Sequence, residues 1–185
     1  IRSVARGAPP LIVTPGDPAG VGPELILAAW RRRKRAGLPP FCVAGGSGLL
    51  AAAAAASGDA VPLAHIADPA EAGGAFAEAL PVLAGADGAW RPGRPDAAGA
   101  ALALAWLEQA VRLAVAGSAG GVVTGPVSKA AIAAIDPGFV GQTEFCADAC
   151  NVPRAGAVML LAGPSLKVVP LTVHIALADV PGRIT

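Results

Sequence analysis

At 185 residues and a formal net charge of +1, the chain is long enough for one domain, or for two lobes sharing it, and too nearly neutral to carry the basic footprint of a nucleic-acid partner. Hydrophobic residues make up 54% of it and charged residues 15%, yet no uninterrupted apolar run approaches the roughly 20 residues that cross a bilayer, so no membrane partner is expected. Three cysteines, with no second pair to complete a zinc knuckle, read as buried free thiols in a reducing cytoplasm, and the N-terminus carries no signal-peptide pattern.

Leu11–Thr14 reads as a strand. The glycine-proline loop Gly16-Asp17-Pro18-Ala19-Gly20-Val21-Gly22-Pro23-Glu24 follows, and then a helix over Pro23–Arg35, in which Ile26 and Trp30 are spaced i, i+4. Pro23 suits the first helical turn, where no amide hydrogen is required. The basic cluster Arg31–Arg35 reads as a solvated helix end complementing the dipole. Phe41–Ala44 is the next strand, and Gly45-Gly46-Ser47-Gly48 opens an alanine-rich helix. Val61–Ile66 is a strand candidate whose His65 reads as a structural residue.

Leu80–Leu83 is a further strand candidate, and Trp90-Arg91-Pro92-Gly93-Arg94-Pro95 is a turn-rich linker that does not amount to a domain boundary. Asp96 caps a helix to about Ala116, with Leu102, Trp106, Gln109 and Leu113 along one side and Gly117 as its stop. Val122–Thr124 reads as a buried strand by its branching, and Gly125-Pro126 breaks it. Ser128 or a neighbour caps a short helix to Ile135, Asp136-Pro137-Gly138 turns, and Thr143–Cys150 is helical. Ala157–Leu161 and Val168–Val173 are expected strands, and Asp179–Thr185 has the pattern of a first helical turn. Strands alternating with helices predict an α/β sandwich around a largely parallel sheet, whose loops at the carboxyl ends of strands are the places where ligands bind.

Four islands stand out in order: Thr14 to Glu24; Val123-Thr124-Gly125-Pro126-Val127-Ser128-Lys129; Gly141-Gln142-Thr143-Glu144-Phe145; and a fourth running from Met159-Leu160-Leu161-Ala162-Gly163-Pro164 to Leu171-Thr172-Val173-His174-Ile175-Ala176-Leu177. In this order and spacing the chain resembles the 4-hydroxythreonine-4-phosphate dehydrogenase family of pyridoxal phosphate biosynthesis, over about the first half of the family's length. The resemblance implies a truncated three-layer α/β fold akin to isocitrate and isopropylmalate dehydrogenases, and a homodimer. The implied reaction is NAD-dependent oxidation of 4-phosphooxy-L-threonine followed by decarboxylation to 3-amino-2-oxopropyl phosphate. It also implies a divalent metal (Zn, Mg or Co) held by three histidines at the dimer interface.

Carried over residue by residue, the resemblance makes His174 the family's first metal histidine and Thr143 a substrate-binding threonine. Gln142 stands where the family has a substrate-binding histidine, and glutamine can hydrogen-bond a substrate but cannot shuttle a proton near neutral pH. That departure admits a related substrate, a phosphorylated sugar acid such as 4-phospho-erythronate or 4-phospho-threonate. Ser128 replaces a commoner Asn or His, and Lys129 is retained as a candidate catalytic residue. The family's other metal histidines, its main NAD contacts and its later substrate contacts fall downstream of Thr185, so this chain by itself is expected to be inactive or nearly so; a short paralogue that binds without catalysis is a further reading. From the residues alone, His174 also reads as a core or surface histidine, Thr143 as an N-cap, Asp17 as a turn residue, Glu24 as a first-turn acid and Lys129 as a solvated lysine.

Overall fold

The computed structural model describes residues 8–58, 60–172 and 175–184. Leu11–Thr14 (β1), Phe41–Ala44 (β2), Leu63–Ile66 (β3), Leu80–Leu83 (β4) and Gly121–Thr124 (β5) form a parallel sheet in the order β3-β4-β2-β1-β5. β2 and β4 are apolar and buried at every position, the pattern of parallel strands covered on both faces. Pro81 sits within β4 without breaking a ladder. Leu80 N donates to Pro62 O on the β3 side, and pairing with β2 begins only at Val82, so the amide that proline lacks would have faced a position where no β2 partner pairs.

The helices are Gly22–Arg31 (α1), Arg33–Ala36 (α2), Ser47–Ala56 (α3), Ala72–Ala75 (α4), Ala97–Val115 (α5), Lys129–Ile135 (α6) and Gln142–Ala149 (α7). The chain moves one way across the sheet through α1 and α3 and returns the other way through α4 and α5. α1 and α3 pack on one another, and α5 lies on β1, β2 and β5. This is the expected α/β sandwich.

α5 has the length and mean hydropathy, 1.3, of a bilayer-crossing helix. The sequence, read for uninterrupted apolar runs, did not flag it. Its apolar character comes from packing on two sides. Trp106 and Ala110 join the sheet core, with Trp106 Nε1 donating to Ala86 O at 2.7 Å. Ala100, Leu107 and Val111 form a second cluster with Ile132 of α6 and Phe139. Asp96 caps the helix as expected, its side chain accepting from Gly99 N at 2.7 Å.

Several expectations are corrected. The helix predicted over Pro23–Arg35 is interrupted at Arg32, and Arg33 is not simply solvated. Its guanidinium lies 3.6 Å above the Trp30 ring centre and donates to Trp30 O and Ala77 O. β5 is an edge strand, with Val123 46% exposed, because no further strand pairs beyond it among the described residues. His65 lies on β3 but is exposed, and of the cysteines Cys42 alone is buried, Cys150 being exposed.

The two late strands shrink to a hairpin of Leu161–Ala162 (β6) and Lys167–Val168 (β7), and the C-terminal turns are 3-10. Val173, the expected end of the second strand, lies outside the described residues. The hairpin region leaves Leu166, Leu171 and Leu177 exposed. Among the described residues the two-stranded hairpin pairs with no further strand, so these side chains stay uncovered.

Candidate functional site

Thr14 and Thr124 are register partners at the carboxyl ends of β1 and β5, and the two loops leaving them are tied together. Gly125 N donates to Thr14 O at 3.0 Å and to the buried Thr14 Oγ1 at 3.2 Å. Asp17 N donates to Pro126 O at 2.9 Å, and Asp17 Oδ1 accepts from Ala19 N at 2.8 Å, so the turn role expected of Asp17 holds. Glu24 lies in the first turn of α1, as read, and its buried Oε2 has no hydrogen-bond partner among the described residues.

Two helices begin beside the Gly125-Pro126 strip. Ser128 caps α6, its side chain accepting from Ala131 N at 3.3 Å, and leaves Lys129 exposed at the first position. α7 starts at Gln142, whose Nε2 donates to Gly125 O at 3.2 Å. A Cβ at Gly141 would lie 2.7 Å from Glu144 Oε2 and 3.2 Å from Lys129 Nζ, so an ammonium and a carboxylate converge over the backbone just ahead of Gln142 and Thr143. Lys129 and Gln142 are thus brought to one corner, and Thr143 follows Gln142 in the first turn of α7. Thr143 is not the N-cap: Gly141 holds that position without a side-chain bond, and the exposed threonine is left for other partners. Glu144 was given no role from the sequence; its place in the first turn of a helix was the available signal.

His174 lies outside the described residues. Among those described, no three His, Cys, Asp or Glu side chains converge as a cation site.

A cleft of about 550 Å³ opens on the other side of the Asp17 loop, between that loop, the segment after β4 and the exposed face of α5. Asp87 on its wall is already committed. Its carboxylate accepts from Gly48 N at 2.6 Å, Leu49 N at 3.2 Å, Gly88 N at 2.8 Å and Ser47 Oγ at 3.1 Å, which satisfies the amino end of α3. Burial pushes this carboxyl up, but the three amides and the hydroxyl outweigh it and hold it below the usual range. Asp17 is different: it is 6% exposed, and among the described residues its only side-chain bond is the one to Ala19 N. Arg91 and Arg94 stand at the cleft's rim, and Ala98, Ala101 and Ala105 of α5 line its floor.

The family model for pyridoxal phosphate biosynthetic protein PdxA matches residues 38–185. A 4-hydroxythreonine-4-phosphate dehydrogenase of Erythrobacter litoralis is 55% identical over 95% of this chain and 52% of its own length. The Zymomonas mobilis protein of that name is 44% identical over 95% of this chain and 51% of its own. The crystal structure of the Klebsiella pneumoniae 4-hydroxythreonine-4-phosphate dehydrogenase superposes with a TM-score of 0.79 at 29% identity, covering 94% of this chain and 53% of that one. The chain spans about half the length of the curated relatives it matches. A parallel sheet whose β1 and β5 loops carry the glycine-proline islands, and a family match over residues 38–185, lead to one statement: the chain belongs to the PdxA family of pyridoxal phosphate biosynthetic proteins.

Proposed function

We propose that this chain forms part of an NAD-dependent dehydrogenase that oxidises 4-phosphooxy-L-threonine, with loss of carbon dioxide to give 3-amino-2-oxopropyl phosphate, in cytoplasmic pyridoxal phosphate synthesis. The observation that carries the reading is Gln142 bonded to Gly125 O, with the Lys129 ammonium beside Gly141, next to the carboxyl ends of β1 and β5 where α/β proteins bind ligands. The Lys129 ammonium complements a phosphorylated substrate, and the Thr143 hydroxyl can donate to or accept from it. Gln142 directs one amide N–H to Gly125 O, which fixes the side chain and leaves its second N–H as a donor and its oxygen as an acceptor. When bound, the nicotinamide ring accepts the hydride, and the protein's part is placement.

His174 enters the proposal as a divalent-cation ligand on the resemblance alone. A homodimer is proposed on the same ground, supported by the uncovered apolar residues Leu166, Leu171 and Leu177.

A second reading is favoured by Gln142 itself. A fixed carboxamide in place of a titratable imidazole suits a related phosphorylated sugar acid, 4-phospho-erythronate or 4-phospho-threonate, which presents a hydroxyl in place of the amine. The test follows NAD reduction by absorbance on the 185-residue chain and on a full-length protein carrying it, with each substrate and added divalent metal. Turnover of 4-phosphooxy-L-threonine by the full-length protein, with near silence from the shorter chain, is expected. Turnover of the sugar acids alone selects the second reading, and turnover of none refutes both.

A further inference from the structure

We propose that Cys146 and Cys150 form a two-thiolate clamp, on the last turn of α7, for a soft two-coordinate cation of the Cu(I) class. The clamp is independent of the dehydrogenase reading. Three features of that turn carry it.

The first is register. The pair is spaced i, i+4, and Cys150 N donates to Cys146 O at 3.0 Å, so the chain is still helical where the second cysteine stands. The helix end is fastened there. Asn151, with φ +55°, takes the left-handed position; its N donates to Asp148 O at 3.0 Å and Val152 N donates to Ala147 O at 2.9 Å, the paired closure of a Schellman motif. Helical residues at this spacing share a face, with Cβ atoms about 5–6 Å apart. A disulfide needs about 3.5–4.5 Å, which the intact helix does not offer. Two metal–sulfur bonds of about 2.3 Å each, laid end to end, span about 4.6 Å and fit the helix without unwinding it.

The second is the contrast between the two thiols. Cys146 is half-buried and packs against the cluster of Ile132 and Phe139, whereas Cys150 is exposed. One sulfur is seated and the other faces solvent, so an ion captured at Cys150 closes onto Cys146. Both thiol protons leave to water as the two metal–sulfur bonds form. The third is what the surroundings withhold. The Asp148 carboxylate is occupied by Arg154, whose Nε donates to Oδ1 at 3.1 Å and whose Nη2 donates to Oδ2 at 2.7 Å. Among the described residues no third His, Cys, Asp or Glu joins the pair.

That ligand number sets the selectivity. Thiolates favour soft ions, and a filled-shell monovalent ion is satisfied by two sulfurs in line, whereas a structural Zn(II) site takes four ligands. The pair therefore selects Cu(I) and Ag(I) over Zn(II).

The test titrates the reduced 185-residue chain, under argon, with Cu(I) in competition with a chromophoric Cu(I) chelator, and repeats the titration with excess Zn(II) present. The variants are Cys146→Ala and Cys150→Ala, each verified as folded by circular dichroism. Cys150 is exposed, so its variant decides the matter even if Cys146→Ala disturbs packing. One Cu(I) per chain is expected, with two sulfurs in its X-ray absorption shell and no change in oligomeric state. Each variant should weaken binding by about a hundredfold or more, because the second bond of a chelate forms at high effective concentration. Excess Zn(II) should leave the titration unmoved. Binding that Cys150→Ala leaves unchanged overturns the clamp, as does an ion shared between two chains. A shell of three or four sulfurs, or displacement by Zn(II), overturns it equally.

Discussion

Gly16 offers a quantitative probe of how tightly the Asp17 loop is seated. Its φ of +73° is left-handed, and a Cβ built on it would stand 2.4 Å from Pro126 O and 2.8 Å from the Gly125 carbonyl carbon. Gly16→Ala therefore carries two costs. The left-handed backbone costs an L-residue about 1–2 kcal/mol. Forcing a methyl against a backbone oxygen, which cannot swing aside as a side chain can, adds about 1–3 kcal/mol. The sum is about 2–5 kcal/mol, which at about 2–4 °C per kcal/mol for a chain of this size lowers Tm by about 4–20 °C. Moving Pro126 O away also strains its bond to Asp17 N.

Two controls separate the terms. Gly37 has φ +59° with nothing within 4 Å of its would-be Cβ, so Gly37→Ala carries the backbone cost alone, about 1–2 kcal/mol. Gly73 lies within α4, has no positive φ and meets nothing within 4 Å, so Gly73→Ala should stabilise by about 0.5–1 kcal/mol. Thermal melts of the three variants, with urea titrations to convert Tm into free energy, read the series. If Gly16→Ala melts with Gly37→Ala, the loops do not press on one another and the close approach of the two islands is wrong.

Asp87→Ala should cost about 0.5–2 kcal/mol near neutral pH, because it strips the amino end of α3 of its acceptor. The folded pKa of Asp87 is depressed, so its contribution is fully present above the unfolded carboxyl value, about 3.9, and is lost as pH falls through the folded one. The stability gap between wild type and variant should hold from neutral pH to about pH 5 and close below that value; a gap that widens in acid would contradict the assignment. The three thiols should separate by reactivity. Burial pushes Cys42 up to about 12, burial and neighbouring Cys150 raise Cys146, and Cys150 is exposed. Alkylation followed by peptide mass mapping should label Cys150 first, Cys146 more slowly and Cys42 only on unfolding, and equal labelling of Cys42 in the folded chain would refute its burial.

The sequence by itself determined what short-range chemistry determines. Short apolar runs marked β1 and β2, and Asp96 and Ser128 announced α5 and α6, because a cap bonds an amide three residues away. The ordered islands were enough to point to the family that residues 38–185 match. What only the tertiary structure decided lies between segments distant in the chain. Periodicity says that a strand is apolar but not whether anything covers it, so β5 turned out an edge and the hairpin after Val158 stayed bare. Gln142 reaching Gly125 O, Asp87 capping a helix 39 residues earlier, and Gly93 fastening the turn between Arg91 and Arg94 to Ala19 are contacts that no local pattern encodes. They exist because parallel strands bring their carboxyl-end loops to one edge of the sheet, where residues far apart in the chain become neighbours.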